Sequence, residues 1–372
     1  MRVVLYAFGH IEYTIQLAEA LSRLEEVMLM VPQRKAGWPI GWFVEVLGEK
    51  INLKPYCQPR LRSPMNLLAL HKTLRTIKSF GPDIVHLQGD HPWLNLVLPY
   101  LKREYPLITT VHDVVLHIGD ARSRRIPSFI HRLSIIYADE IIVHGEGLKK
   151  EIMDKSNRPA DNVHVIPRGV NSIYRRFLRS KVEEEDHLIL FFGRIWEYKG
   201  LRYLIEAEPL ITEKVPTVEI VIAGIGEDIR KYLEMMKHRE KFVIYNYIIP
   251  NEMVAELFQK ASVVVLPYIE ASQSGIVPLA YAFKKPVVVT NVGSIPEVVD
   301  NGKTGYIVPP RNPKKLAEAI VDLLKDKRKR REMGENAYKK TEEELSWNNI
   351  AVKTIEVYKK ALADRCRRSN KH

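Results

Sequence analysis

Residues 267–299 read Pro267-Tyr-Ile-Glu270-Ala-Ser-Gln-Ser274-Gly-Ile-Val-Pro-Leu279-Ala-Tyr-Ala282-Phe-Lys-Lys-Pro286-Val-Val-Val-Thr290-Asn-Val-Gly293-Ser-Ile-Pro-Glu297-Val-Val299. Just before them, Val263 to Leu266 is an apolar, β-branched run, which reads as a buried strand ending at Pro267. A polar loop with one acid, Glu270, follows. Ser274-Gly275-Ile276 opens an Ala-rich stretch suited to a helix. Pro286 ends that helix, and Val287 to Val289 form the next buried strand. Strand, loop, helix and strand make one β-α-β unit of a doubly wound α/β architecture. Such sheets bind ligands outside the carboxyl ends of their strands. Free N–H groups at a helix start favour an anion there.

The same grammar extends outward in both directions. Strands are expected at Val3–Tyr6, Val27–Val31, Asp83–Leu87 and Leu107–Val111, and resemblance to the family named below adds Ala138–Val143 and Val163–Ile166. After these come Leu188–Phe192, Val218–Ile222, Phe242–Tyr245, Val263–Leu266, Val287–Val289 and Gly305–Val308. That is six strands before residue 175 and six after it, with helices between them. Two doubly wound Rossmann-like sheets follow from this count. The expected domains are residues 1–175 and 176–346, with the polar, charged stretch Arg175–Asp186 as the linker region. Leu67, Leu70, Leu74 and Ile77 recur at helical spacing, and that face is expected to pack on the first sheet. Leu316 to Leu324 is an amphipathic helix.

Several motifs resemble those of the family 4 retaining glycosyltransferases of GT-B fold. In the opening stretch these are Ala280-Tyr281-Ala282, Pro286 to Thr290 and Gly293-Ser-Ile-Pro-Glu297. Upstream, Gly193-Arg194 after an apolar strand, with Lys199-Gly200 a few residues on, matches the family's Phe-x-Gly-Arg…Lys-Gly pattern. Ala223-Gly224-Ile225-Gly226 resembles its Ala-Gly-x-Gly loop, and Thr110-Val111-His112-Asp113 its Thr-x-His-Asp pattern. Ser346-Trp347 and Val357-Tyr358 resemble the closing helix of the family.

The resemblance implies the GT-B fold: two Rossmann-like domains facing an interdomain cleft, with a C-terminal helix, residues 347–372, crossing back to the first. It implies a nucleotide-sugar donor held mainly by the second domain. Arg194 and Lys199 would stabilise the departing diphosphate, Glu270 would hold sugar hydroxyls, and His112 would sit at the reacting centre. Gly193, Gly224 and the backbone of Ser274, Gly275 and Ile276 would line the sugar, phosphate and nucleotide. Gly9, after the first strand, would contact phosphate or acceptor. Two fixed cations can replace a metal, so no metal or other cofactor is expected. The donor motif departs from the family's in two places: Glu270 sits one residue too early for its first Glu, which a one-residue insertion in the loop would restore. The family usually carries a second Glu in the donor motif, and that place falls here on Leu279. Arg168 stands where the family usually has Asn. Tyr247 to Ile249 lie where it contacts the base.

Composition bounds the rest. The chain has 372 residues, 46% of them hydrophobic, enough for two real cores. Its two cysteines, Cys57 and Cys366, make neither a disulfide framework nor a metal site. The chain starts directly on a strand, and no apolar run reaches the roughly 20 residues that span a bilayer. The expected compartment is the cytoplasm, with peripheral contact at the inner face of the membrane left open. Net charge is +12, from 57 basic and 45 acidic residues. Such an excess suits an anionic membrane, a nucleic acid or a polyanion. No recognition helix or aromatic RNA-binding motif supports nucleic acid.

The aromatic segment Trp38–Val44, with Lys54, Arg60 and Arg62 after it, either meets a lipid surface or packs into the core. Arg122–Arg125 could meet phosphate. Lys325–Arg331 is either a solvated helix end or a patch for lipid head groups. His10 is either an acceptor contact or a polar surface residue. The expected activity is transfer of a sugar from a nucleotide-sugar donor to a lipid-linked, polysaccharide or other glycan acceptor. The alternatives are a non-catalytic, transferase-like partner subunit and a sugar-nucleotide epimerase of the same fold.

Overall fold

A computed structural model describes residues 1–33, 51–112, 128–178 and 182–369. The aromatic segment at 38–44, Asp113 and the arginines at 122–125 lie outside the described residues. The described chain divides into two compact units. One takes residues 1–112, 128–167 and 347–369, and the other residues 168–178 and 182–346.

In the first unit the order is β1 (Arg2–Ala7), α1 (Ile11–Leu21), β2 (Glu26–Pro32), β3 (Asn52–Tyr56), α2 (Met65–Phe80) and β4 (Ile84–Gln88). Two short helices, α3 (Pro92–Asn95) and α4 (Leu98–Glu104), lead to β5 (Leu107–Thr110). Then come α5 (Ser128–Tyr137), β6 (Glu140–Val143), α6 (Glu146–Ser156) and β7 (Val163–Val165). Among the described residues these strands form one seven-stranded sheet, ordered β3-β2-β1-β4-β5-β6-β7. Every pairing in it is parallel. Parallel strands covered on both faces need continuous apolar runs, and Val3, Val4, Leu5, Ile84 and Val85 are fully buried accordingly.

The seventh strand, β3, is an addition to the six that the sequence suggests. Asn52-Leu-Lys-Pro-Tyr56 has no apolar run, and Pro55 argues against an interior strand. As an edge strand beside β2, with four of its five residues at least partly exposed, it tolerates both features.

The second unit contains β8 (Leu188–Phe192), α7 (Leu201–Lys214), β9 (Glu219–Ala223), α8 (Arg230–Leu233), β10 (Phe242–Tyr245) and α9 (Asn251–Lys260). β11 (Val263–Leu266), α10 (Ile276–Ala282), β12 (Val287–Thr290), β13 (Gly305–Val308), α11 (Pro313–Lys325) and α12 (Lys327–Glu343) complete it. Its sheet, again all parallel, runs β10-β9-β8-β11-β12-β13. In both sheets the chain order reverses beside the first strand, between β1 and β4 and between β8 and β11. That reversal opens the crevice where doubly wound sheets take ligands.

The first unit ends at Pro167, whereas the sequence suggested a boundary after residue 175. The difference has a cause in packing: the 3-10 turn Ser172–Phe177 lies against α9 and α10 of the second unit. The stretch expected to be a linker also carries structure. Arg330, 1% exposed, donates from Nε to Glu184 (2.9 Å), from Nη2 to Asp186 (2.8 Å) and from Nη1 to the carbonyls of Leu323 and Leu324. Buried Lys285 reaches the same Glu184 at 2.9 Å. The basic run 325–331 is therefore partly consumed within the unit. Lys327 pairs with Asp186 and Lys329 with Asp322.

The final helix, α13 (Trp347–Ser369), belongs to the first unit. Lys360 Nζ reaches buried Glu140 at 2.7 Å, and Trp347 stacks edge-on to Tyr13. Burial alone would raise the Glu140 carboxyl, but hydrogen bonds from His164 and Lys360 outweigh it and hold the group below its ordinary range.

On α2 the expected apolar face is rotated. Asn66, Thr73 and Ile77 are buried, Leu70 and Leu74 pack at the margin of the core, and Leu67 is 62% exposed. Asn66 explains the turn. Its Nδ2 donates to the carbonyls of Arg60, Leu61 and Ser63 (2.8–3.3 Å), which draws it inward and points Leu67 out.

Candidate functional site

In the second unit the residues singled out from the sequence converge on the strand ends beside the β8/β11 reversal. Gly193 follows β8 and Gly224 follows β9. Gly224 has φ +148, and a Cβ there would lie 1.7 Å from the Gly193 carbonyl oxygen, so no side chain fits. Gly200, with φ +67, sits against Pro267 at the end of β11, where a Cβ would lie 1.9 Å from the Pro267 oxygen. The turn after Lys199 and the loop after β11 are therefore in direct contact.

This contact sets the two cations. The Lys199 Nζ lies 3.7 Å from the centre of the buried Tyr268 ring, within cation–π range. Arg194, exposed, donates from Nη2 to the Tyr198 hydroxyl at 3.0 Å. The start of α10 faces the same loops. A Cβ on Gly193 would lie 3.9 Å from the Ile276 methyl Cδ1. Ser274 Oγ accepts from the Ile276 N–H at 3.2 Å, a local turn that leads into the helix. Glu270, half-buried, lies in the same β11–α10 loop.

Arg168 joins this cluster. Its guanidinium lies against Gly275, with Nε only 3.0 Å from where a Cβ would be. The sequence showed Arg168 in place of the family's usual Asn, but not its contact with Gly275. A cation beside the positive end of a helix is stabilised when an anion lies between them. Among the described residues, buried Gln273 Oε1 and Ser294 Oγ, in and beside the same loop, make no hydrogen bond. Burial pushes the Tyr268 phenol up to about 12, against smaller opposing effects of Ser274 and Arg194. Leu279, 1% exposed, lies on the inner side of α10 and offers no polar group.

In the first unit, Gly9 N–H and Phe8 N–H both donate to the Gln88 carbonyl, at 3.2 and 3.0 Å. This joins the loops after β1 and β4 at the sheet's reversal. Among the described residues a Cβ on Gly9 would meet nothing within 4 Å.

His112 follows β5 and is 4% exposed. It belongs to a chain of hydrogen bonds. The Tyr358 hydroxyl of α13 meets His86 Nδ1 at 2.7 Å, and His86 Nε2 meets Thr110 Oγ1 at 2.7 Å. The Gln88 side chain touches His86, Thr110 and His112 at 3.0, 3.0 and 3.4 Å. His112 Nδ1 meets His144 Nε2 at 3.1 Å, and His144 Nδ1 donates to the Ile166 carbonyl at 3.0 Å. Burial pushes His86 down to about 3, so it is a neutral link in the chain. His10 stacks on His112 with ring centres 3.6 Å apart. The sequence showed each of these side chains but not their contact. Histidines standing in or just after β4, β5 and β6 were the available signal.

Among the described residues no group of three or more His, Cys, Asp or Glu is arranged to hold a metal ion, and no helix is long and apolar enough to cross a membrane.

Residues 175–340 match the family model for glycosyl transferases group 1, and residues 9–172 match the model for glycosyltransferase family 4. An uncharacterized glycosyltransferase of Methanocaldococcus jannaschii is 32% identical over 307 residues, 75% of this chain and 76% of that protein. D-inositol 3-phosphate glycosyltransferase of Paenarthrobacter aurescens is 26% identical, over 94% of this chain and 92% of its own. Among solved structures, sucrose-phosphate synthase from Thermosynechococcus elongatus aligns with a TM-score of 0.75 at 17% identity, over 98% of this chain and all of its own. The Anabaena protein HepE with bound UDP aligns at 0.72 and 16% identity, over 97% of this chain and all of its own. These solved relatives share the GT-B fold with it.

Proposed function

The chain belongs to the group 1 glycosyltransferases, and we propose that it transfers a hexose from a nucleotide sugar to a glycan or lipid-linked acceptor with retention of configuration. The observation that carries this reading is that Arg194 and Lys199 sit on the turn that touches the loop after β11, with Arg168 against Gly275 where that loop enters α10. Structural neighbours of this fold bind UDP and UDP-glucose, which supports a nucleoside diphosphate as leaving group.

The chemistry follows from charge. As the bond between the anomeric carbon and the phosphate oxygen breaks, the electron pair stays on phosphate. Preorganised cations stabilise that charge more than the ground state and lower the barrier. The acceptor hydroxyl attacks the face that the phosphate leaves, and its proton passes to the departing phosphate oxygen. Glu270 accepts hydrogen bonds from sugar hydroxyls. Gln273 or Ser274, in the same loop, takes a ribose hydroxyl in place of the carboxylate that Leu279 lacks. Exposed Tyr247 and Ile248, just after β10, offer an apolar face to the base.

A panel of UDP- and GDP-hexoses, with nucleoside diphosphate release followed in buffer containing a chelator, tests the reading. Turnover that survives the chelator, with an α-linked product from an α-donor, is expected. Strict dependence on magnesium or manganese would overturn the cation assignment. Epimerised donor, or binding without turnover, would favour the epimerase or partner-subunit alternative.

The acceptor reading is sharpened by one surface. Leu61, Met65, Leu67 and Leu68 are exposed around the start of α2, with Arg60, Arg62 and Lys72 exposed beside them. Apolar side chains flanked by cations suit an anionic lipid interface, at about 1 kcal/mol for each basic residue near it. Sedimentation with anionic vesicles at physiological salt, and not with neutral ones, is the expected result. Protein left in the supernatant with both would return the acceptor to a soluble glycan.

A further inference from the structure

We propose that Tyr198 and Tyr268 are positioning residues for the transfer: two buried side chains that hold Arg194 and Lys199 where charge develops on the departing phosphate, without cancelling the charge of either cation. This rests on the glycosyl-transfer reading and adds what the two cations stand on.

Both tyrosines sit where segments of the second unit cross. The Ile269 N–H donates to the Tyr198 carbonyl at 2.9 Å. Thr290 Oγ1, at the end of β12, donates to the Tyr268 carbonyl at 2.5 Å. Gly200, packed on the Pro267 oxygen, lets the turn after β8 and the loop after β11 approach this closely. The two segments are thus pinned to each other and to β12, and both tyrosine side chains are buried.

From this base each tyrosine acts on a cation by a different part. At Tyr198 it is the hydroxyl, which accepts from Nη2 of exposed Arg194 at 3.0 Å. At Tyr268 it is the ring face, whose centre lies 3.7 Å from Lys199 Nζ, against 4.9 Å for the Tyr198 ring. Among the described residues the other lysine–ring contacts are longer, at 4.9 Å for Lys231 over Tyr232 and 5.1 Å for Lys284 over Tyr338. Burial pushes the Tyr268 phenol up to about 12, so the face under Lys199 is that of a neutral ring. Such a face attracts an ammonium through its quadrupole, and more strongly as water is excluded. A carboxylate in either place would attract the cation too, but its charge would offset the one that the departing phosphate uses. A ring face and a hydroxyl fix position and leave the positive charge intact. The lysine stem is long and flexible, so anchoring its end before the bond breaks is what makes the charge preorganised. Tyr268 is buried and acts through Lys199.

Two measurements on the full chain decide it. In the first, lysines are reductively methylated with isotope-labelled formaldehyde, which keeps their charge, and their methyl signals are recorded by NMR. Lys199→Arg identifies the Lys199 signal. A ring current shifts groups above a ring upfield, so this signal is expected upfield of the other lysines in wild type and in Tyr268→Phe, and among them in Tyr268→Leu. A wild-type Lys199 signal among the others overturns the inference. In the second, turnover is measured with whichever UDP- or GDP-hexose the panel identifies. Tyr268→Leu should lower kcat about tenfold with KM changed less than about threefold, and Tyr268→Phe, which keeps the ring, should recover most of the loss. Tyr198→Phe, which removes the hydroxyl, should lower kcat about fivefold. Wild-type turnover in Tyr268→Leu or in Tyr198→Phe overturns the inference, as does equal loss in the two Tyr268 variants. If wild-type protein turns over no nucleotide sugar, the glycosyl-transfer reading fails, and the Lys199 signal still decides whether Tyr268 holds the cation.

Discussion

The two units end their strands in opposite chemistries. Beside the β8/β11 reversal the second unit presents cations: Arg194 exposed, Lys199 over Tyr268, Arg168 against Gly275. Beside the β1/β4 reversal the first unit presents imidazoles, an amide and hydroxyls, joined from Tyr358 to Ile166. The same architecture thus prepares one crevice for charge and the other for hydrogen bonding. A cation site needs little support, because each charge acts from its own short loop. A relay of neutral groups needs every neighbour in place, because an unsatisfied buried polar group costs about 1–3 kcal/mol.

The comparison breaks first at the cations. Arg194→Ala or Lys199→Ala should lower turnover by about a hundredfold or more while leaving the melting temperature almost unchanged. Steady-state rates beside a thermal melt check this. Near-normal turnover in both variants would show that charge at this crevice is not what the reaction uses.

The second test is of support rather than chemistry. Arg330 is far more buried than the two loop cations, and it holds Glu184, Asp186 and two helix-end carbonyls. Arg330→Met should cost about 2–3 kcal/mol of stability in urea melts, since its partners lose their donor. A loss under about 0.5 kcal/mol would mean that solvent replaces the clamp.

The third test sharpens the neutrality of the first unit. His86 has its folded-state value depressed by burial to about 3. As pH falls through about 6.5 the unfolded chain takes up a proton that folded His86 refuses. Its contribution is therefore fully present above that pH and is lost as pH drops toward about 3. Between about pH 7.5 and 5.5 the expected loss from this residue is about 1.4 kcal/mol. His91, held down to about 4 by burial despite its own backbone hydrogen bond, adds a loss of the same sign. Urea melts of wild type and His86→Gln at the two pH values give the difference. Identical pH dependence in both would show that His86 is not held neutral by the fold.

Legibility followed the range of each signal. Short apolar runs and family motifs marked twelve strands, and the glycines at 200 and 224 fall where backbones crowd. β3 escaped because an edge strand does not need to be apolar. The rotated face of α2 escaped because the Asn66 bonds to loop carbonyls outweigh a leucine repeat.

The sequence by itself determined the two doubly wound sheets, the family, and the loops that carry Arg194, Lys199, Glu270 and Ser274 to Ile276. Each of these is encoded within a dozen neighbouring residues, where periodicity, turn residues and motif spacing act. Only the tertiary structure decided that Arg168 lies on Gly275, that Arg330 clamps the stretch at 184–186, and that His112 is enclosed while His10 lies on its face. Those arrangements join residues as far apart as His86 and Tyr358. Hydrogen-bond satisfaction and packing act between such groups only after the chain has closed, and they leave no local pattern to read.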